Sequence, residues 1–242
     1  MIPPRILIPA AKRLPQRKKH EPKRGAPPHA KHSAARRGNL ASGRQTPNAI
    51  APPGSLEGES SAEAGLILYP GAKVDPHAYV PLAEKIAERG YICVIAKMPF
   101  NLAFFGIDAA SGIINNYPQT DAWWIAGHSL GGAAAQYAAN HADALEGIAL
   151  LASYPASDLS ETSLRARSVY GSQDLVLNRE SLAENASKLP ANAKTVVIEG
   201  GNHAGFGAYG PQKGDGEAAI SADEQQEAFA NAFDAAAGAD RQ

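Results

Sequence analysis

The run Asp121-Ala-Trp-Trp-Ile-Ala-Gly-His-Ser-Leu-Gly-Gly132, continued by Ala-Ala-Ala-Gln-Tyr-Ala-Ala-Asn140, constrains the fold more than any other stretch of this chain. Ala122 to Ala126 is a short apolar run suited to a buried strand, and the residues from Gly131 onward favour a helix. Between them, Gly127-His128-Ser129-Leu130-Gly131 fits the pattern G-x-S-x-G. A strand that turns directly into a helix forces its central residue into strained backbone geometry and lifts the serine oxygen clear of the sheet. Side chains two residues before and two after would collide across so tight a turn, so glycine at both positions is expected. The backbone N–H of Leu130 opens the helix and points to where a developing oxyanion would sit.

Five residues of Gly and Ser recur by chance, so the flanking strand and helix carry the assignment. The same alternation runs along the chain. Apolar strands are expected at Ala64 to Tyr69, Tyr91 to Ala96, Glu146 to Ala152, Ala166 to Tyr170 and Thr195 to Ile198. Helices are expected from Ala78 to Arg89, with Asp75 as cap and Gly90 as stop, and over Arg179 to Lys188. The last spans Ser221 to Ala237, where Ser221 and Glu224 form a capping-box pattern. Strands of near-continuous apolar character between helices predict an α/β fold, three-layered and doubly wound around a mostly parallel sheet. Ligands of such sheets bind beyond the carboxyl ends of the strands.

Charge divides the chain unevenly. Residues 1–44 hold 12 of the 23 Lys and Arg and one of the 24 acids, leaving 11 basic against 23 acidic residues beyond. Ten of the 18 Pro precede residue 54. Residues 1–61 therefore read as a basic, Pro-rich, disordered tail and 62–242 as the folded domain. The tail has basic clusters able to contact anionic surfaces, but no aromatic residue to stack on bases, so no nucleic-acid partner is expected of the domain. Cys93 is the single cysteine, placed in an apolar strand as a small hydrophobe, which excludes an internal disulfide and a multi-cysteine metal site. With no secretory signal and no apolar run long enough to span a bilayer, a cytoplasmic protein is expected.

A serine needs a base, and the base needs an acid to fix its tautomer. Of the seven histidines, His20, His29 and His32 lie in the tail; His77 and His141 sit at helix ends, and His128 is inside the serine turn. His203, after Gly200-Gly201, alone follows a strand downstream of the serine. Asp174, after Tyr170-Gly-Ser-Gln, is the first candidate for the acid and Asp158 the second, although either would also suit an Asx turn. Lys73 and Lys97 also follow strands on this edge and are candidates to attract a substrate carboxylate.

From about Ala64 to Ala237 the chain resembles the α/β-hydrolase superfamily, and is similar to compact, dienelactone-hydrolase-like (carboxymethylenebutenolidase-like) members. The residues that carry this are Tyr69-Pro-Gly-Ala-Lys-Val-Asp-Pro-His-Ala-Tyr79, Gly127-His-Ser-Leu-Gly-Gly132, Tyr170-Gly-Ser-Gln-Asp174 and Gly201-Asn-His-Ala-Gly-Phe206. The resemblance implies Ser129 as nucleophile, Asp174 as acid, His203 as base, and Ala72 N–H as the oxyanion donor beside Leu130. Two departures stand out. The Pro-rich tail occupies the place of the family's first strands, which predicts a sheet short on that edge. Serine also stands where dienelactone hydrolase proper has cysteine. Little chain separates Leu151 from Ala166, so no lid domain is expected. The expected activity is hydrolysis of small esters or lactones without metal or organic cofactor. An amidase or acyltransferase with the same triad, or a non-catalytic binding protein, are the alternatives.

Overall fold

Both faces of the strands are apolar because both are covered. In the computed structural model, which describes residues 45–46, 49–51 and 64–238, side chains alternate between two cores. Ile67, Tyr69, Val94, Trp123 and Ile125 enter one; Leu66, Leu68, Cys93, Trp124 and Ala126 enter the other. Period-two alternation with no polar face is what a parallel sheet between helical layers requires.

The strands are β1 (Gln45–Thr46), β2 (Ala49–Ile50), β3 (Ala64–Tyr69), β4 (Ile92–Ala96), β5 (Ala122–His128), β6 (Gly147–Leu151), β7 (Arg165–Gly171) and β8 (Lys194–Ile198). They form one sheet in the order β1-β2-β4-β3-β5-β6-β7-β8. From β4 to β8 along that order every pairing is parallel; β1 with β2 and β2 with β4 are antiparallel. The helices are α1 (Val80–Ala87), α2 (Ala109–Asn115), α3 (Ala134–Asn140), α4 (Arg179–Glu184) and α5 (Ala222–Ala237). Residues of α2 and α3 fill the first core, and residues of α1 and α5 the second. The fold is the doubly wound α/β architecture expected from the sequence.

Helix α5 begins with the expected capping box between Ser221 and Glu224. It then buries Phe229, Ala230, Phe233, Ala236 and Ala237 against the sheet. A fully buried phenylalanine of this kind contributes on the order of 2–3 kcal/mol. Cys93 is buried in β4, as expected, and burial pushes its thiol pKa up. Between β6 and β7, residues 152–164 form a loop without a helix. No helix among the described residues is long and apolar enough to cross a membrane.

One edge differs from the expectation of a bare sheet. Ala49 pairs with Ala96 and Ile50 with Ile95, so a short piece of the Pro-rich segment extends the sheet beyond β4. Ala49 joins one core and Ile50 the other. Two-residue strands set among prolines have no period to read, which is why composition assigned them to the tail. The expectations for residues 1–44 lie outside the described residues.

Candidate active site

Strand β5 ends at His128 and a tight helical turn, Ser129–Ala133, starts at the next residue. No loop separates them, so Ser129 absorbs the change of direction. Its φ is +53°, in the left-handed region that costs a non-glycine residue roughly 1–3 kcal/mol. The neighbours permit this only because they lack side chains. A Cβ on Gly127 would lie 2.0 Å from the Gly131 carbonyl oxygen, and one on Gly131 would lie 2.2 Å from that of Tyr69. Ser153 Oγ donates to the Ser129 carbonyl at 2.8 Å and ties the turn to the loop after β6. The other left-handed non-glycine residues described, Lys73, Phe100, Asn101 and Ala152, also follow β3, β4 or β6. Backbone strain is thus collected on the carboxyl edge of the sheet.

Across that edge, His203 Nδ1 lies 3.0 Å from Asp174 Oδ2, and both side chains are buried. Asp174 Oδ1 accepts the N–H groups of Val176 at 2.9 Å and Leu177 at 2.8 Å. Burial pushes the Asp174 carboxyl up, but His203 and the Leu177 and Val176 N–H groups outweigh it and hold the pKa below the usual value. A carboxylate there makes Nδ1 of His203 the protonated nitrogen. Nε2 is then the free base, and it is buried with no hydrogen-bond partner. A buried ring nitrogen without a partner is uncommon and calls for an occupant.

Ser129 and His203 line one cavity of about 390 Å³, together with Ala72, Leu130, Phe104, Ala133, Ala152, Tyr154, Val176 and Leu177. Leu130 is the second residue of the helical turn, so its N–H is one of the first-turn donors that a helix leaves without an intrahelical partner. In the turn after β3, Gly71 N–H is taken by Tyr79 Oη at 2.9 Å and Lys73 N–H by the Asn101 carbonyl at 2.8 Å. Ala72 lies between them on the cavity wall. The five residues Ser129, Leu130, Ala72, His203 and Asp174 are therefore brought together.

Three other candidates are not. Asp158 is exposed and accepts the Ser160 N–H at 2.9 Å, the Asx turn its sequence suits. That bond also lowers its pKa. Lys73 and Lys97 stand on the carboxyl edge, yet neither lines the cavity, whose lining holds no Lys, Arg, Asp or Glu.

Sequence reasoning missed what holds His203 in place. Asp215 accepts the His203 N–H at 3.2 Å and the Ala204 N–H at 2.9 Å. Gln225 clamps Asn202 from both sides, accepting its N–H at 2.9 Å and donating to its carbonyl at 2.8 Å. Gln226 donates to the Gly205 carbonyl at 3.3 Å. Both glutamines are buried on α5. A signal existed: Gln225 and Gln226 continue the apolar stripe of Phe229, Ala230 and Phe233 by helical spacing. Polar residues on a buried stripe imply partners. Two further residues adjoin the site: Tyr79 Oη accepts the Gly71 N–H, and His128 Nε2 lies 3.1 Å from the His203 carbonyl oxygen.

The described residues include no group of three or more His, Cys, Asp or Glu able to hold a metal ion. Among solved structures, the fold is similar to Est1E from Butyrivibrio proteoclasticus with ferulic acid bound, at a TM-score of 0.58 and 14% identity over 75% of this chain and 92% of that one. It is similar to MGS-MChE2, an alpha/beta hydrolase enzyme from the metagenome of lagoon sediments at Mar Chica, Morocco. There the TM-score is 0.57 and identity 14%, over 82% and 98% of the two chains. The monoacylglycerol lipase of Paleococcus ferrophilus matches with a TM-score of 0.53 at 13% identity, over 70% of this chain and 93% of that one. No curated protein sequence matches. The sequence profile of the alpha/beta hydrolase family, however, matches residues 65–227. The protein belongs to the alpha/beta hydrolase family.

Proposed function

We propose that the protein is a serine hydrolase of small carboxylic esters or lactones, a serine counterpart of dienelactone-hydrolase-like enzymes, acting through Ser129, His203 and Asp174. The observation that supports this most is one arrangement. Asp174 pairs with His203 at 3.0 Å and leaves Nε2 of His203 buried and unpartnered, and His203 lines the same cavity as the left-handed Ser129.

In the acylation step, His203 Nε2 takes the proton of Ser129 Oγ as that oxygen attacks the carbonyl carbon. The carbonyl oxygen becomes an oxyanion between the N–H groups of Leu130 and Ala72. One such donor is worth about 3–4 kcal/mol of transition-state stabilisation. Asp174 holds the imidazolium that forms. The tetrahedral adduct collapses, the alcohol oxygen leaves with the proton from Nε2, and an acyl group remains on Ser129. Water then loses a proton to His203 and attacks the ester, releasing the acid and restoring the serine. Only protein groups and water enter these steps.

The lining limits the substrate. It is mostly Ala, Val, Leu, Phe and Tyr, with no Lys, Arg, Asp or Glu, so an uncharged, apolar acyl portion fits it best. Lys73 and Lys97 are left a steering role outside the cavity. A screen of short-chain nitrophenyl esters, aryl esters and lactones tests the reading directly. Turnover of neutral esters is expected. Serine labelling without ester turnover would favour amide cleavage or acyl transfer, and neither labelling nor turnover would leave a binding protein on the same fold.

A further inference from the structure

His128 and Tyr79 perform none of these steps, yet both are almost completely buried. Three hydrogen bonds run through them from one wall of the site to the other. Gly71 N–H donates to Tyr79 Oη at 2.9 Å, Tyr79 Oη lies 2.7 Å from His128 Nδ1, and His128 Nε2 lies 3.1 Å from the His203 carbonyl oxygen. The direction of each follows from elementary valence. A carbonyl oxygen only accepts, so His128 Nε2 carries a hydrogen. A neutral imidazole has one N–H, so Nδ1 is bare and accepts from the Tyr79 hydroxyl. The hydroxyl oxygen in turn accepts from Gly71. Every donor and acceptor on the path is used in one consistent direction.

We propose that Tyr79 and His128 are positioning residues, a neutral hydrogen-bonded relay that holds the Ala72 turn and the His203 loop at a fixed separation. The proposal rests on the hydrolase reading above. Gly71 immediately precedes Ala72, so a shift at the start of the relay moves the oxyanion donor. The His203 carbonyl belongs to the same residue as the base, so a shift at the other end moves Nε2. The transition state needs both at one carbon atom, and a misplacement of about 1 Å can cost roughly 10²-fold in rate.

Neutrality matters because the rings of His128 and His203 are 4.9 Å apart between centroids. A charge on His128 would oppose the imidazolium that catalysis creates on His203. The groups facing His128 are Tyr79 from the turn before α1, His203, and Phe206 and Tyr209 from the segment after β8, with Asp174 beyond His203. Burial, and then His203, push its pKa down to about 3, so it stays neutral near pH 7.

The test measures kcat and KM for a nitrophenyl ester, with a melting temperature for each protein, in full-length wild type, Tyr79→Phe, His128→Leu, the double variant and His128→Gln. The relay predicts that Tyr79→Phe and His128→Leu each lower kcat by about 10–100-fold with KM changed less than about threefold. Because both singles break one chain, the double variant falls no further than the worse single. His128→Gln carries an acceptor and a donor on one carbon, as the ring does, and restores kcat to within about tenfold of wild type. Wild-type kcat in Tyr79→Phe, a multiplicative loss in the double variant, or losses that merely follow the folded fraction would overturn the relay. Should His128→Leu fail to fold, Tyr79→Phe and His128→Gln decide alone. A wild type that neither turns over esters nor labels its serine would fail the hydrolase reading itself. An active wild type with insensitive variants fails only the relay.

Discussion

The two sides of the proposed catalytic centre are built by opposite means. On the nucleophile side, backbone packs against backbone: Gly127, Gly131 and the Tyr69 carbonyl leave no room for a methyl group. On the base side, buried side chains do the holding. Asp215, Gln225, Gln226 and His128 all bond to the main chain of Asn202 to Gly205. The first side is sensitive to atoms added, the second to polar atoms removed. A strained serine needs a rigid frame that sterics alone can supply. A base that changes charge in each cycle needs its tautomer and its position fixed, and only hydrogen bonds do both.

The sharpest way to break this contrast is on the base side. Asp174→Asn keeps the shape but presents the wrong partner to His203 Nδ1, and kcat should fall roughly 10³–10⁴-fold. Steady-state kinetics on a soluble ester checks this. A loss below tenfold would mean that another group orients the base.

Gly131→Ala comes next and tests the nucleophile side. Its Cβ meets backbone rather than a side chain that could move aside. We expect a loss of about 3 kcal/mol or more in chemical denaturation, with little soluble protein. Stability near that of wild type would show that the turn has slack.

Acid separates the sides by a different route. The folded pKa of His128, about 3, lies below the ordinary value of 6.5, so between these values the unfolded chain binds the extra proton. Stability due to this group is therefore complete above about pH 6.5 and lost as pH falls, by up to about 1.4 kcal/mol per pH unit. Asp174, whose pKa is also depressed, adds its loss only below the ordinary carboxylate range. Denaturation between pH 7 and 5 should show the slope in wild type and a flatter line in His128→Gln. Equal slopes would place the acid sensitivity elsewhere.

The smallest effect belongs to Asp158→Asn. An amide can keep the turn's hydrogen bond to Ser160, so kcat should change less than about tenfold. A larger loss, with Asp174→Asn mild, would exchange the two carboxylates.

These contrasts also explain what could be read in advance. Gly127, Ser129 and Gly131 are legible because their constraint is local: three residues within five positions must satisfy one turn. Asp174 and His203 are legible because each follows a strand, and the sheet gathers strand ends on one edge. Lys73 and Lys97 follow strands too, yet miss the cavity, because a strand end fixes the backbone and not where a long side chain goes. Tyr79, Asp215 and Gln225 act across the fold on partners 49, 12 and 23 residues away. Nothing at such separations shows as spacing. The short strands β1 and β2 were hidden by the prolines around them.

Active-site labelling tests the central claim most directly. Full-length wild type and Ser129→Ala are treated with a fluorophosphonate, their intact masses measured, and ester hydrolysis followed in parallel. The account predicts one adduct on wild type, at Ser129, with turnover lost in step, and neither labelling nor turnover in a folded Ser129→Ala protein. Wild-type ester turnover in that variant, or an adduct on another residue, would contradict it.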